Sequence, residues 1–421
     1  MEDAARPTQD APAPPRLAIV VLSAICAFCI LASFSMLRPV RDSLGVRDGT
    51  GPLPVLFTAT FVVMLLATPV FGWASAKLPR RPLLIGVYGF FSATLLVFWG
   101  LLTAEVAPEH VGRAFYVWQS VVNLFVVSVF WSLMADLFTS PEAKRLYGYI
   151  AAGATLGAIA GPSITTFGVE HIGTNNLLPL AAGFLGVTAS GVAILASPTF
   201  LPRNERRSQP LGGGVLAGVR LAFSSKLLIG LVGYFLLFTM LSTFLYLEQA
   251  AVAKREFATS DERTKFFATV DLVAQVSTVA LQLVVTRALL ATAGSFRTLF
   301  VLPIATLVGL ASLSFGTSTA LLGGVVAGRR AIDYAFARPA RESLFTMVPA
   351  ESRYKAKNFI DTVVYRFGDM VAGWADFALK SRDASAATLA ILGIPLALLW
   401  IGLIAWLNRT SGQLERRADG A

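Results

Sequence analysis

The chain has 421 residues, 55% hydrophobic and only 14% charged, where a soluble globular domain carries about 25% charged residues; this excludes a soluble domain and indicates a membrane protein with many spans. Two cysteines exclude a disulfide scaffold, and two histidines, His110 and His171, exclude a histidine metal cluster or proton relay. A net charge of +10 would suit a nucleic-acid partner, but its distribution along the chain argues for another role.

Residues 1–16 are polar, rich in Pro and Ala and without a cleavage site, and read as a disordered cytoplasmic tail. Twelve apolar runs follow, near 17–37, 53–75, 82–104, 114–138, 146–168, 177–199, 227–247, 266–286, 298–316, 320–348, 358–379 and 386–407. A bilayer-spanning helix needs about 20 such residues. The first run holds Cys26 and Cys29, which read as small apolar residues on a membrane helix. Near its end Arg38 and Asp42 are spaced for an i,i+4 pair, which leaves Arg41 on the neighbouring face, and Pro39 is expected to bend or open the helix. The fourth run ends with Asp136, and the fifth carries Gly153, Gly157 and Gly161, a spacing that lets another backbone approach closely. Residues 201–226, basic and with a Gly triplet, read as a cytoplasmic linker between six-helix bundles at 17–200 and 227–408, and a second tail covers 409–421. The seventh run ends with Glu248, and the eighth carries Asp271, Gln275, Thr278 and Gln282 within an arc of about 60°.

The tenth and eleventh runs concentrate the charge. Residues 328–369 read GRRAIDYAFARPARESLFTMVPAESRYKAKNFIDTVVYRFGD. An Arg or Asp at mid-membrane costs roughly 2.5–3.5 kcal/mol on insertion scales, so such residues face a watery cavity or one another. At 100° per residue, Arg330, Tyr334, Arg338 and Arg341 fall within about 80° of one another and read as a guanidinium ladder lining a cavity. Structural ion pairing is the competing reading, since Asp333 lies four residues from Arg329 and Glu342 four from Arg338. Asp361 and Arg366 follow on the eleventh run.

With both termini inside, the inner segments hold 20 Lys and Arg and the outer segments 10. That bias predicts cytoplasmic termini and accounts for much of the positive charge as an orientation signal, so no nucleic-acid partner is expected. Residues 130–161 can be laid on residues 341–373: each has a Ser-Leu pair, then Glu and basic residues in a short turn, then a helix ending in Ala-Gly. Six-helix repeats of this kind describe the major facilitator architecture. The turn Gly72-Trp-Ala-Ser-Ala-Lys-Leu-Pro-Arg-Arg81 resembles the loop pattern of that superfamily, with Ala76 at its usual Asp and Pro79 at its usual second Gly. The fold class expected is therefore an all-α membrane protein of twelve transmembrane helices in two pseudo-repeats. No phosphate-binding loop, nucleophile–base pair or metal cluster is visible in the sequence, so neither an enzyme nor a cofactor is expected.

Four blocks resemble the ATP/ADP translocases of plastids and obligate intracellular bacteria: Leu37-Arg-Pro-Val-Arg-Asp-Ser-Leu44; Phe130-Trp-Ser-Leu-Met-Ala-Asp136 with Glu142-Ala-Lys-Arg-Leu-Tyr147; Tyr246-Leu-Glu248; and Ala340-Arg-Glu-Ser-Leu-Phe345 with residues 351–368. The chain looks like a shorter, divergent bacterial member. The resemblance implies nucleotide exchange at a bacterial inner membrane. It also implies that Arg41 and Arg341 take the places of the family's first- and tenth-helix lysines, and that Asp136 and Glu248 take those of its fourth- and seventh-helix glutamates, while Asp361 and Arg366 are matched directly.

The resulting expectation is a monomeric secondary transporter of a small anionic substrate, with ATP or ADP as the best guess. Arg41, Arg330, Tyr334, Arg338, Arg341 and Arg366 would bind the substrate. Asp42, Asp136, Glu248, Asp271, Glu342 and Asp361 would balance charge or take protons. Two alternatives remain open: proton-coupled import or export of another solute, and a non-transporting membrane receptor or scaffold.

Overall fold

Hydrocarbon leaves a helix as the only way for a single span to satisfy its own backbone. The computed structural model, which describes residues 16–197, 200, 220–348 and 356–418, is accordingly helical along every predicted run. The N-terminal tail up to residue 15, most of the expected linker (201–219) and the turn at 349–355 lie outside the described residues. The helices of the first half are α1 (Arg16–Gly45), α2 (Leu53–Lys77), α3 (Arg80–Thr103), α4 (Pro108–Leu137), α5 (Ser140–Ile172) and α6 (Leu177–Leu195). Those of the second are α7 (Lys226–Glu256), α8 (Ser260–Thr298, with a π turn at Gln282–Thr286) and α9 (Val301–Ser314). They continue with α10 (Thr319–Ile332, a π turn at Asp333–Ala337, then Arg338–Phe345), α11 (from residue 356, with a π turn at Ile360–Val364, then Tyr365–Lys380) and α12 (Ala386–Ala418).

Among the described residues nine helices are long and apolar enough to cross a membrane on those grounds alone. The other three are α9, which has 14 residues, and α10 and α11, the two rods with the densest charge and a π turn each. α1 runs through Pro39 to Gly45 as one helix, so Pro39 does not open it.

The same pairings recur in both halves. α1 packs on α5 and α6, α3 on α6 and α2 on α4; likewise α7 packs on α11 and α12, α9 on α12 and α8 on α10. Each half has its own apolar core, one drawn from residues 19–196 and the other from 222–407. The glycine stripe of α5 lies directly on α1, where a Cβ at Gly157 would run into the Phe28 carbonyl oxygen and one at Gly153 into that of Ala24.

We call the side where α1 begins the N-terminal face and the opposite side the distal face. The halves meet through α5 on α8, α1 on α8 and α2 on α11. On the distal face Ser43 Oγ donates to the Ser260 carbonyl (3.0 Å), Lys254 Nζ to that of Arg47 (2.6 Å), and Thr174 Oγ1 to Asp261 (2.6 Å). Val46, Leu53, Leu56 and Phe57 close the seam against Leu247, Ala250, Ala253 and Phe267. Among the described residues, the hydrogen bonds and ion pairs that join the halves all lie on this side or at mid-depth. Toward the N-terminal face no hydrogen bond or ion pair between described residues joins the halves, and Arg338, Glu342 and Asp361 stand exposed in what we read as a cleft between them.

Candidate functional site

The floor of the cleft is built where α1, α8 and α10 cross. Arg38 stands seven residues before the end of α1, about 10 Å below the distal end. Its Nε lies 3.6 Å from one oxygen of Asp271 on α8, and Arg330 Nη1 on α10 makes a short hydrogen bond to the other. Arg38 thus passes over Asp42 and crosses to the other half. Asp271 is 8% exposed, whereas Arg38 keeps 24% and Arg330 14% of its side-chain surface. Two guanidiniums share one carboxylate and both remain reachable from the cleft. The local charge is +1, because guanidinium does not deprotonate in proteins.

Arg41, on the face beside the expected Arg38–Asp42 pair, takes Asp42 itself. Its Nη2 and Nε lie 2.6 and 2.9 Å from Asp42 Oδ1, and its guanidinium sits 5.0 Å from the Tyr116 ring centroid. Tyr246 of α7 donates to the same Asp42 oxygen (3.1 Å) and accepts from Tyr116 (3.3 Å), a chain that links α1, α4 and α7. Arg366 pairs with Asp369 (3.2 Å), which also accepts from Thr243 (2.6 Å).

The ladder expected on α10 is divided. Pro339 has no N–H to give to the Ala335 carbonyl. A π turn forms at Asp333–Ala337, and α8 supplies the missing donors: Thr286 Oγ1 reaches the Ala335 carbonyl (3.1 Å) and Gln282 Nε2 that of Tyr334 (3.3 Å). The extra residue in that turn rotates everything after it by roughly 100°. Arg338 comes back into line with Arg330 and Tyr334, while Arg341 swings to about 80° on the other side.

One stripe of α10 therefore faces the cleft: Arg330, Tyr334 and Arg338. Arg338 lies 4.6 Å from the Tyr334 ring centroid, and among the described residues it has no ion-pair partner. The other stripe, Arg329, Asp333 and Arg341, is buried against α7 and α9. Arg341 bonds Asp333 (3.1 Å) and sits 4.7 and 5.0 Å from the ring centroids of Phe235 and Phe238. Arg329 sits 5.2 Å from the Phe238 ring and donates to Thr306 Oγ1 (3.0 Å) and the Phe238 carbonyl (3.2 Å). The two i,i+4 neutralisations read from the sequence do not form: Asp333 takes Arg341 in place of Arg329, and Glu342 pairs with Lys357 (2.5 Å) in place of Arg338.

Of the predicted site residues, Arg41, Asp42, Asp271, Arg330, Tyr334 and Arg338 gather on α1, α8 and α10 around the cleft, with the Arg366–Asp369 pair on α11. Arg341 is sequestered. Glu342 and Asp361 are exposed toward the N-terminal face. Asp136 stands at the last turn of α4 on that same side, in the field of Tyr147. Glu248 belongs to a distal cluster with Lys380 (2.8 Å), which also holds Asp376 (3.1 Å). Sequence reasoning passed over Arg38 as a site residue because Asp42 offered it a local partner. It passed over Tyr116 and Tyr246 because nothing local marks a tyrosine whose partners lie on other helices.

The model of the Major Facilitator Superfamily matches residues 17–332 of the chain. Solved structures share the whole fold at low identity. A nucleoside transporter, NupG, superposes with a TM-score of 0.67 at 14% identity over 94% of this chain and 98% of its own. PepTSo, a POT family transporter, gives 0.68 at 12% identity over 95% and 99%. A bacterial homologue of the iron transporter ferroportin, solved in an inward-facing state, gives 0.64 at 14% identity over 93% and 99%. No curated protein matches by sequence.

Proposed function

Because the chain belongs to the major facilitator superfamily, a multi-pass membrane transporter and not an enzyme, we propose that it carries a small anionic metabolite, first a nucleotide of the ATP/ADP kind, by alternating access. One observation carries this reading: Arg38 and Arg330 share the single carboxylate of Asp271 at the cleft floor, and Arg338 faces the same cleft with no acid paired to it among the described residues. A phosphate or carboxylate group meets paired N–H donors there. Tyr334, between Arg330 and Arg338, adds a ring and a hydroxyl.

With both termini cytoplasmic, the orientation the Lys/Arg bias supports, the arrangement is an inward-facing one. A substrate that neutralises the floor lets Asp271 release one arginine, and the halves rock about the site, closing the cleft and opening the distal seam. An empty floor keeps a net cation out of water when the cleft shuts, which is a physical basis for obligatory exchange.

A second reading rests on the distal cluster. Glu248 and Asp376 share one cation, Lys380, which leaves an excess carboxylate suited to proton coupling. Uptake of labelled ATP into proteoliposomes, with and without internal ADP and with and without a pH gradient, separates the readings. Uptake that requires internal nucleotide and ignores the gradient supports exchange. Uptake that follows the gradient alone supports proton coupling, and no nucleotide uptake under any condition removes the nucleotide.

A further inference from the structure

An open groove of about 600 Å³ runs down the outside of the first half between α2 and α3, with Phe125 of α4 at its base. Its walls are apolar throughout: Val63, Leu66 and Val70 on α2, and Gly86, Val87 and Phe90 on α3. Leu66, Val70 and Phe90 are more than half exposed. Although α2 and α3 are consecutive and joined by a tight turn, they splay apart here. From Val63 to Leu78 the groove spans about 22 Å by helical rise, against a hydrocarbon core about 30 Å thick. It therefore reaches from headgroup depth on the N-terminal face to the region of the midplane, the depth of one leaflet.

The mouth differs from the walls. At the turn, Lys77 and Arg81 are exposed, and the Lys77 ammonium sits 5.5 Å from the ring centroid of Trp73. Trp73 is 57% exposed, with an amphipathic ring of the kind that settles at the membrane interface. The turn from Gly72 to Arg81 contains no acidic residue, and among the described residues neither Lys77 nor Arg81 has an ion-pair partner. A leaflet-deep apolar groove under this basic mouth is complementary to one molecule, a bilayer lipid with an anionic headgroup.

We propose that this groove binds an anionic phospholipid, one acyl chain lying between α2 and α3 and the phosphate on Lys77 and Arg81. Gly86 marks the open space of the groove: a Cβ there would meet nothing within 4 Å. Because the groove is bounded by α2, which also seals the halves through α11, an occupied groove favours the arrangement seen here.

The test uses the purified full-length chain, titrated with phosphatidylglycerol or with phosphatidylcholine of the same acyl chains, with melting temperature and bound lipid by native mass spectrometry as readouts. Phosphatidylglycerol is expected to raise the melting temperature in a saturable way and to be retained, and phosphatidylcholine is not. Since each basic residue at an anionic lipid surface contributes about fivefold, the double variant Lys77→Gln/Arg81→Gln is expected to weaken phosphatidylglycerol binding roughly thirtyfold. Gly86→Leu fills the groove and is expected to abolish the selective retention, while Gly86→Ala leaves it intact. Equal responses to the two lipids, or phosphatidylglycerol retention that survives both Gly86→Leu and the double charge variant, would overturn the proposal. So would a dimer that Gly86→Leu dissociates, since the groove would then be a seat for a second copy. If Gly86→Leu does not fold, the exposed charge variant decides alone.

Discussion

The two sides of α10 hold the same chemistry in opposite settings. Toward the cleft, Arg330 shares Asp271 with Arg38, and Arg338 lies on the Tyr334 ring with no ion pair among the described residues. Toward α7, Arg341 has a carboxylate of its own and is boxed in by Tyr234, Phe235 and Phe238. Each side has more arginine than acid and the helix is the same, so what separates a ligand-ready guanidinium from a structural one is access to water and whether protein oxygens and rings fill its donors and faces. Arg341 on Asp333 and Arg329 on Thr306 and the Phe238 carbonyl, both against aromatic rings, are satisfied. Two on one acid beside a cleft are not.

The largest effect that would test this contrast is on stability. Asp333→Ala leaves Arg341 buried without its counter-charge and is expected to cost about 3–5 kcal/mol, read as a large drop in melting temperature in detergent. Asp333→Leu combined with Arg341→Met is expected to restore most of that loss, because an apolar pair of similar volume avoids the desolvation penalty of both charges. If Asp333→Ala melts as the parent does, the interior pair is not structural.

The next effect falls on transport. Arg330→Gln and Arg338→Gln each remove a charged donor from the cleft; such a hydrogen bond contributes about 1.5–3 kcal/mol. A tenfold to hundredfold rise in the half-saturating concentration of an anionic substrate is expected, with melting temperature close to that of the parent for Arg338→Gln, whose side chain is exposed. Arg341→Gln should do the reverse, lowering the folded fraction while the surviving protein keeps its affinity. An affinity loss confined to Arg341→Gln would invert the assignment of the two stripes.

The contrast also explains what could be read from the sequence. The twelve rods, their pairing into two halves and the concentration of charge on α1, α8, α10 and α11 follow from hydropathy and from the cost of burying charge, both local properties. The glycine stripe of α5 announced a close backbone neighbour, and Ala24 and Phe28 of α1 supply it. The phase of Arg341 did not follow, because the helical wheel assumed 100° per residue across Pro339. The proline was visible and marked the break, but a π turn and a simple kink look alike until Thr286 and Gln282 are seen bonding the freed carbonyls. Partners across helices were the other gap. Asp271 reaches Arg38 and Arg330 only once three helices are placed, and i,i+4 spacing offered Arg38 a nearer acid that Arg41 had already taken.

The smallest effect concerns access. If the cleft stripe serves alternating access, its floor must become reachable from the distal side while the interior stripe stays closed. Thr174 latches α5 to α8: its hydroxyl donates to Asp261 (2.6 Å) and its backbone N–H reaches the same oxygen (2.8 Å). The same hydroxyl lies 3.0 Å from Thr264 Oγ1. Thr174→Val removes both hydroxyl bonds and keeps the backbone one, a loss of about 1 kcal/mol per bond, or roughly a fivefold shift of population toward distal opening for each. A cysteine placed at Ser120, within 3.5 Å of Arg41 at the floor, should then label severalfold faster with a charged thiol reagent added from the distal side. A cysteine at Thr239, fully buried on α7, should label no faster. Faster labelling at both positions would mean that Thr174→Val loosens the fold instead of opening a gate, and the two sides of α10 would then not differ in their access to water.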